Sequence, residues 1–131
     1  MPAHRTQIKV YYEDTDCLGM VYHANYLRYF ERARTEYVAT GGREIHEWNA
    51  LGYLIIVYSA NLRFRAAGRL GDVLEIVTTH QARTPYRMAF LQEARRGAEL
   101  LVHSEVELAC LDADRRLIPF PPILAQGGDA G

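Results

Sequence analysis

One long helical pattern near the start of a short chain constrains the fold most. Over residues 22–40, apolar side chains recur at helical spacing and form a single stripe: Tyr26, Phe30, Ala33 and Tyr37. The other faces carry charged or polar side chains: Arg28, Glu31, Arg32, Thr35 and Glu36. Gly41 and Gly42 follow and predict the end of the helix. A helix of about 18 residues is ~27 Å long, which is enough to lie across a sheet of several strands.

The rest of the chain is dominated by segments in which apolar and polar residues alternate, as they do in half-buried strands. This alternation predicts strands over residues 6–14, 54–65, 73–83, 87–96 and 100–111. A second, short helix is predicted over residues 43–50. One strand, a long helix and then a run of antiparallel strands is an α+β pattern and differs from βαβ repetition.

Length and composition indicate a single globular domain. The chain has 131 residues, of which 49% are hydrophobic and 24% charged, so neither a disordered nor a fibrous protein is expected. The domain is predicted over residues 1–125, and the Gly- and Ala-rich residues 126–131 are expected to be a disordered tail. No apolar stretch reaches the ~18 residues of a membrane span and no signal-peptide centre is recognisable, so we expect a cytoplasmic protein without a transmembrane segment.

Charge and cysteine content exclude further classes of protein. Fifteen Lys and Arg against sixteen Asp and Glu give a net charge of -1, which does not provide the basic field of a nucleic-acid binder. The two cysteines, Cys17 and Cys110, are in neither a CxxC nor a His-rich spacing, so no disulfide framework and no metal site is expected. Cys17 has two interpretations, a nucleophile or a small residue beside a turn.

The segment with the most chemical information is residues 11–34. Asp16 is predicted in a loop between a strand and the long helix, where Gly19 provides conformational freedom for a turn. The first helical turn has four backbone N–H groups without intrahelical partners, which can stabilise a developing negative charge. A carboxylate beside such donors can act as nucleophile or general base toward an acyl carbon. The alternative for Asp16 is a helix cap or turn residue.

Several neighbours of Asp16 are candidates for the same site, each with a structural alternative. His23 could orient water or the substrate carbonyl, or be an exposed residue of the first helical turn. Tyr12 could point into the cleft or pack in the core, and Asn25 could bond the loop backbone. Arg63 and Arg65 are expected on one strand face, where they could meet a phosphate group or pair with Glu105 or Glu107. The predicted substrate-binding set comprises Gly19, Val21, Tyr22, Asn25, Arg63 and Arg65.

The stretch YYEDTDCLGMVYHANYLRYFERAR, residues 11–34, resembles the acyl-CoA thioesterases of the hotdog fold, in the group of 4-hydroxybenzoyl-CoA thioesterase and the YbgC type. The resemblance implies a long helix wrapped by an antiparallel sheet of about five strands, assembled as homodimers or homotetramers. It implies hydrolysis of acyl-CoA or acyl-carrier-protein thioesters, without a metal or other cofactor, since CoA is part of the substrate. It also implies that Asp16 is the catalytic carboxylate, that the His23 amide polarises the carbonyl, and that Tyr12 and His23 contribute to the site.

The chain departs from the family pattern after Phe64. Relatives often carry a basic residue followed by Pro-Ala there, whereas this chain has Ala66, Ala67 and Gly68 after Arg65. The CoA phosphates could therefore be bound differently, by Arg65 or by another arginine such as Arg69 or Arg83. Two other functions stay open at this point, a non-catalytic acyl-thioester binding module and a hotdog dehydratase acting on 3-hydroxyacyl thioesters.

Overall fold

The helical stripe forms the helix α1, Asn25–Ala39, in the computed structural model, which describes residues 1–126. The four stripe residues are at most 2% exposed, and the five polar positions predicted on the other faces are all exposed. Sequence and structure therefore agree on which face of the helix meets the sheet.

The remaining elements follow the predicted order. The strands are β1 (His4–Lys9), β2 (Leu54–Phe64), β3 (Val73–Thr84), β4 (Arg87–Arg96), β5 (Glu99–Leu111) and β6 (Leu117–Ile118). Two short helices, α2 (Ile45–Ala50) and α3 (Pro122–Ala125), complete the described part of the chain. The sheet is antiparallel with the order β1-β3-β4-β5-β2, and β6 pairs with β5. The predicted α+β architecture is confirmed, with β6 and α3 as additions too short to produce a periodic sequence signal.

The first strand is shorter than predicted and ends at Lys9. The Asp14 carboxylate accepts the Tyr11 N–H at 3.0 Å, which stabilises a single 3₁₀ turn over Tyr12–Asp14. Because the chain leaves the sheet there, Tyr12 is 81% exposed, and packing of Tyr12 in the core is the wrong alternative.

The long helix also starts later than the predicted residue 22. The N–H groups of Asn25, Tyr26 and Leu27 donate to carbonyls three residues earlier, so the chain first makes tight turns over residues 22–24. Tyr22 and His23 consequently lie before α1, with both side chains exposed.

The middle of the sheet carries a polar group of residues beneath α1. Gln92, which is fully buried, donates from Nε2 to the Phe30 carbonyl at 2.9 Å and to Thr78 Oγ1 at 3.0 Å. Its Oε1 accepts a hydrogen bond from Arg34 Nη1 at 3.0 Å, and Arg34 itself is 8% exposed. This network joins the helix to β3 and β4 through groups that the apolar pattern does not reveal.

Strand β2 is an open edge of the sheet. Its side chains are exposed or half-buried throughout, and four large apolar ones are 40–52% exposed: Ile56, Val57, Tyr58 and Phe64. This edge of the sheet is therefore apolar and uncovered within the described chain.

The alternative in which Arg63 or Arg65 pairs with Glu105 or Glu107 is not what the structure shows within residues 1–126, where both carboxylates form ion pairs with Arg83. In the described part of the chain, no helix has the length and apolarity of a membrane span. Of the predicted tail, residues 127–131 lie outside the described residues.

Candidate active site

A cavity of about 460 Å³ opens where the loop before α1 meets the end of β2. Five of the predicted site residues line it: Asp16, Val21, Tyr22, His23 and Arg65. Four others are not among the lining residues: Tyr12, Gly19, Asn25 and Arg63. Sequence reasoning missed Met20, Tyr26, Phe64, Ala66 and Ala67, which complete the wall.

Asp16 both shapes its loop and faces the cavity. Its Oδ1 accepts the N–H groups of Leu18 at 2.8 Å and Met20 at 3.2 Å, and its own N–H donates to the Met20 carbonyl. The turn closes through Gly19, whose φ of +75° lies in the region that glycine adopts without a Cβ clash. The two interpretations of Asp16 are therefore compatible, since one carboxylate oxygen holds the loop while the second accepts no hydrogen bond within residues 1–126.

Most backbone N–H groups between Asp16 and α1 are used by the loop's own hydrogen bonds. The Val21 N–H donates to the Gly68 carbonyl and the Tyr22 N–H to the Asp14 carbonyl, both at 2.9 Å. Within the described residues, the N–H groups of His23 and Ala24 donate to no backbone or side-chain acceptor. The Cys17 N–H is also unbonded within residues 1–126, but Cys17 is not on the cavity wall. The His23 and Ala24 amides directly precede α1, with His23 on the wall, so these two are the donors best placed for an oxyanion.

The segment over residues 65–72 holds the Asp16 loop against the sheet. Besides the Gly68 carbonyl bond, the Leu70 N–H donates to the Gly19 carbonyl at 3.0 Å. The Gly68 N–H donates to the Tyr26 hydroxyl at 3.1 Å, and a Cβ at this position would lie 3.0 Å from that hydroxyl. Glycine at position 68 therefore allows the segment to lie close to Tyr26. Gly68 is also one of the positions at which the chain departs from the Pro-Ala pattern of its relatives.

An ion pair anchors the far end of this segment. Arg96 Nη1 donates to Asp72 Oδ2 at 2.7 Å and to the Ala67 carbonyl at 3.2 Å. The hydrogen bond from Arg96 holds the pKa of the Asp72 carboxyl below its ordinary value, since it favours the charged form. Ala67 belongs to the cavity wall, so this pair fixes part of the wall to the sheet.

Tyr26 lies at the base of the cavity and stays neutral. Burial raises the pKa of its hydroxyl, and the hydrogen bond from Gly68 offsets this only in part. A neutral phenol is a poor proton acceptor, so Asp16 and His23 are the groups on the cavity wall suited to general-base chemistry.

The structure gives the remaining predicted residues other positions. Asn25 Nδ2 donates to the Asp14 carbonyl at 2.8 Å, which is the loop-bonding alternative. Arg63 stays on the regular strand opposite His103, whereas the N–H groups of Arg65 and Ala66 both donate to the Leu101 carbonyl. Arg65 therefore lies at an irregularity that ends the strand, and it lines the cavity, whereas Arg63 does not line it. That the two arginines share one face stays a prediction.

Two further groups have reactive or metal-binding side chains. Cys17 is exposed beside Asp16, while Cys110 is buried and burial raises the pKa of its thiol to about 11. On α2 and its cap, Glu44, His46 and Glu47 are close enough to share an ion, but all three are exposed, and such groups are common without a metal. The expectation of a metal-free site therefore stays a prediction.

Comparison with known proteins identifies relatives of this chain. The chain is 35% identical over 118 residues to Acyl-CoA thioesterase YbgC of Haemophilus influenzae, covering 87% of this chain and 85% of the relative. It is 34% identical to Acyl-CoA thioester hydrolase YbgC of Escherichia coli, covering 82% and 81% of the two chains. A probable thioesterase from Bartonella henselae has the same fold, with a TM-score of 0.85, 29% identity and coverage of 92% and 100%.

These relatives confirm the predicted hotdog fold and the resemblance noted from residues 11–34. The profile of the thioesterase-like superfamily matches residues 10–127, which is most of the chain. The protein therefore belongs to the thioesterase-like superfamily.

Proposed function

We propose that this protein hydrolyses acyl-CoA thioesters to a free acid and CoA, with Asp16 as the catalytic carboxylate. The observation that carries the proposal is the placement of Asp16 on the same cavity wall as His23, whose backbone amide is unbonded. The similar proteins with thioesterase names support the reaction type.

The geometry supports the following division of labour. The thioester carbonyl oxygen approaches the N–H groups of His23 and Ala24, which stabilise the negative charge that develops on it. The free oxygen of Asp16 takes a proton from water, and the resulting hydroxide attacks the carbonyl carbon. The C–S bond then breaks and CoA leaves as the thiolate, which is protonated to the thiol. The His23 side chain borders the same space and positions water or substrate.

A nucleophilic role for Asp16 gives the same products through an enzyme-bound anhydride. Turnover in H₂¹⁸O detects the anhydride route when water attacks at the Asp16 carbon, because that hydrolysis leaves ¹⁸O in the carboxylate, whereas attack at the acyl carbon labels only the released acid. Mass spectrometry of the peptide containing Asp16 detects such a label. Direct attack by water leaves Asp16 unlabelled.

The first experiment is a panel of acyl-CoA substrates with varied chain length and aromatic acyl groups. Hydrolysis is followed by the loss of thioester absorbance, since the exposed Cys17 would itself react with a thiol reagent. Saturable hydrolysis of at least one member is expected. Binding without turnover across the panel would instead favour the non-catalytic module.

Arg65 is proposed to bind the phosphates of CoA. It is the arginine among the cavity-lining residues, and its exposed side chain forms no ion pair within residues 1–126. Arg65→Ala is therefore expected to raise KM for acyl-CoA about fivefold with little change in kcat. The same variant should leave KM unchanged for the N-acetylcysteamine thioester, which lacks the phosphates.

Arg63→Ala is the matched control for this variant. Arg63 is two residues away and exposed, yet it is outside the cavity. An equal rise in KM for both variants, or a rise with the phosphate-free thioester, would contradict a specific contact of Arg65 with CoA.

Self-association is proposed through the open edge of the sheet. Strand β2 has no neighbour on one side within the described chain and exposes large apolar side chains, a combination that favours pairing with a second copy. Because Phe64 belongs both to this edge and to the cavity wall, a second copy would also border the active site. Dimers and tetramers are both compatible with this proposal.

Ile56→Lys is expected to convert the assembly into monomers at micromolar concentration, because a charge would enter the apolar interface. Analytical ultracentrifugation measures the change, and hydrolysis should fall with it. Leu117→Lys is the control, since Leu117 is similarly exposed but lies on β6. A monomeric parent protein would contradict the proposal outright.

Three further predictions extend this function. Acyl-carrier-protein thioesters are proposed as alternative substrates, because the reacting group is the same.

Hydrolysis is expected to need neither a metal nor another cofactor, so activity should survive exhaustive treatment with a chelator. A cytoplasmic location stays a prediction.

A further inference from the structure

A second cavity, of about 360 Å³, lies at the opposite half of α1 from the active site. It is enclosed by the later turns of α1, by α2, by the first half of β2 and by the sheet. None of its lining residues belongs to the active-site cavity. The proposed active site therefore does not account for the residues of this second cavity.

The unusual feature of this cavity is the side chain of Arg34. Arg34 is 8% exposed, and its guanidinium donates to the neutral Gln92 amide oxygen at 3.0 Å. Within residues 1–126 it forms no ion pair with a carboxylate inside 4.0 Å. Buried arginines are normally paired with an anion, because an unpaired charge in a protein interior is costly.

The nearest acidic contribution comes from Glu31, one turn earlier on α1. Burial lowers the pKa of Arg34, and the attraction of Glu31 opposes this effect. Glu31 is exposed and lies on the cavity lining, so it stays largely solvated and provides no direct partner. The guanidinium keeps its charge at neutral pH and has donors left for an anionic group.

Apart from Glu31 and Thr35, the other lining residues of the cavity are aliphatic or aromatic. An apolar wall is formed by side chains from α1, α2, β2, β4 and β5: Val38, Ile45, Ile55, Val57, Phe90 and Leu108. The cavity thus has a cationic end and an apolar wall. A volume of about 360 Å³ falls at the lower end of the roughly 300–1,000 Å³ typical of small-molecule sites.

We propose that this cavity binds an aliphatic carboxylate, with the carboxylate on Arg34 and the hydrocarbon chain along the apolar wall. The guanidinium fork matches a carboxylate, and a charge-assisted hydrogen bond there supplies the missing anion. Glu31 at the rim disfavours a dianionic phosphate, so the monoanionic carboxylate is the better fit. The apolar wall excludes short polar acids as strong ligands, because they bury too little hydrocarbon.

A carboxylate is also the product class of the proposed hydrolysis, and an aliphatic acyl-CoA would release the kind of acid that this cavity fits. The cavity could thus let the protein sense the acid that it releases, and this link alone rests on the proposed function. Binding to the cavity needs no catalysis. It can therefore be measured in the Asp16→Asn variant as well as in the parent protein, so a failure of binding and a failure of hydrolysis are distinguishable.

The probe is octanoate, measured by isothermal titration calorimetry and compared with uncharged octanol. The parent protein is expected to bind octanoate roughly tenfold or more tightly than octanol, because only the acid pairs with Arg34. Shortening the acid to hexanoate should weaken binding, by roughly fourfold for each methylene removed.

Two variants locate the site. Arg34→Met should reduce octanoate affinity by about tenfold or more and leave octanol affinity nearly unchanged, since it removes the guanidinium but keeps an unbranched apolar side chain. Thr35→Trp should weaken both ligands, because Thr35 lines the cavity from an exposed position where a larger side chain can enter it without disturbing the core. Circular dichroism checks that both variants fold. If Arg34→Met does not fold, the Thr35→Trp variant still tests whether octanoate binds in this cavity. The ratio of octanoate to octanol affinity in the parent protein still tests whether the carboxylate is recognised.

The proposal is overturned by any of three results. Octanoate could show no saturable binding, or it could bind equally well to the parent and to both folded variants, which would locate it elsewhere. It could also bind only after the Ile56→Lys change separates the subunits. That last result would show that a second copy of the chain, and not a carboxylate, occupies the cavity.

Discussion

Asp16→Asn is expected to fold as the parent protein does and to hydrolyse acyl-CoA more slowly by roughly two to four orders of magnitude. The asparagine carbonyl oxygen can still accept the N–H groups of Leu18 and Met20, so the loop keeps its internal hydrogen bonds. What is lost is the carboxylate that we propose accepts a proton or attacks the acyl carbon. The measurement is kcat under saturating substrate, together with a circular dichroism spectrum.

Asp14→Asn is the matched control, because it makes the same chemical change two residues earlier. The Asp14 side chain accepts the Tyr11 N–H and is absent from the cavity wall, so nearly full activity is expected. Comparable losses in both variants would indicate that the loop's conformation, and not the Asp16 carboxylate, had been tested. Full activity in Asp16→Asn would remove Asp16 from the mechanism.

Gln92→Leu is expected to lower the free energy of unfolding by about 3 kcal/mol, the largest stability effect that we predict. The change preserves much of the side-chain volume but removes one acceptor and two donor bonds at the centre of the sheet. Arg34 then loses its hydrogen-bond acceptor, and the Phe30 carbonyl and the Thr78 hydroxyl lose their donor. Urea denaturation at one fixed protein concentration measures the effect, because stability of an associating protein depends on concentration.

Gln7→Leu provides the comparison for this variant. Gln7 is also a strand glutamine, but it is exposed on β1, so its replacement should change stability by no more than about 0.5 kcal/mol. A loss below about 1 kcal/mol for Gln92→Leu would mean that water or a shift of Arg34 replaces the buried hydrogen bonds. The central network would then contribute little to stability.

The fold was predictable where one periodic signal extended over many residues. Tyr26, Phe30, Ala33 and Tyr37 identify the buried face of α1 because helical spacing and burial agree over three turns. The ends of elements were less predictable. The alternation that begins in β1 continues in sequence as far as Tyr12, but the hydrogen bond of Asp14 to the backbone ends the strand, and strand periodicity contains no information on such a competing turn.

The candidate site was predictable where its residues were contiguous in sequence. Asp16, Val21, Tyr22 and His23 form one wall of the cavity because the chain turns once between them. The opposite wall comes from residues more than forty positions later, and no single-sequence pattern links Ala66 or Ala67 to Asp16. Buried Arg34 was missed for a related reason, since its partner Gln92 belongs to a distant strand.

At the irregular end of β2, the number of residues matters as much for the shape of the cavity as the type of residue does. Two consecutive N–H groups, those of Arg65 and Ala66, share the carbonyl of Leu101, so one extra residue is accommodated opposite β5. Deleting a single residue here would remove this irregularity and shift the register of the residues that follow it, which include Ala67 of the cavity wall. Among related sequences, insertions and deletions at this position should therefore change the preferred thiol carrier more abruptly than substitutions do.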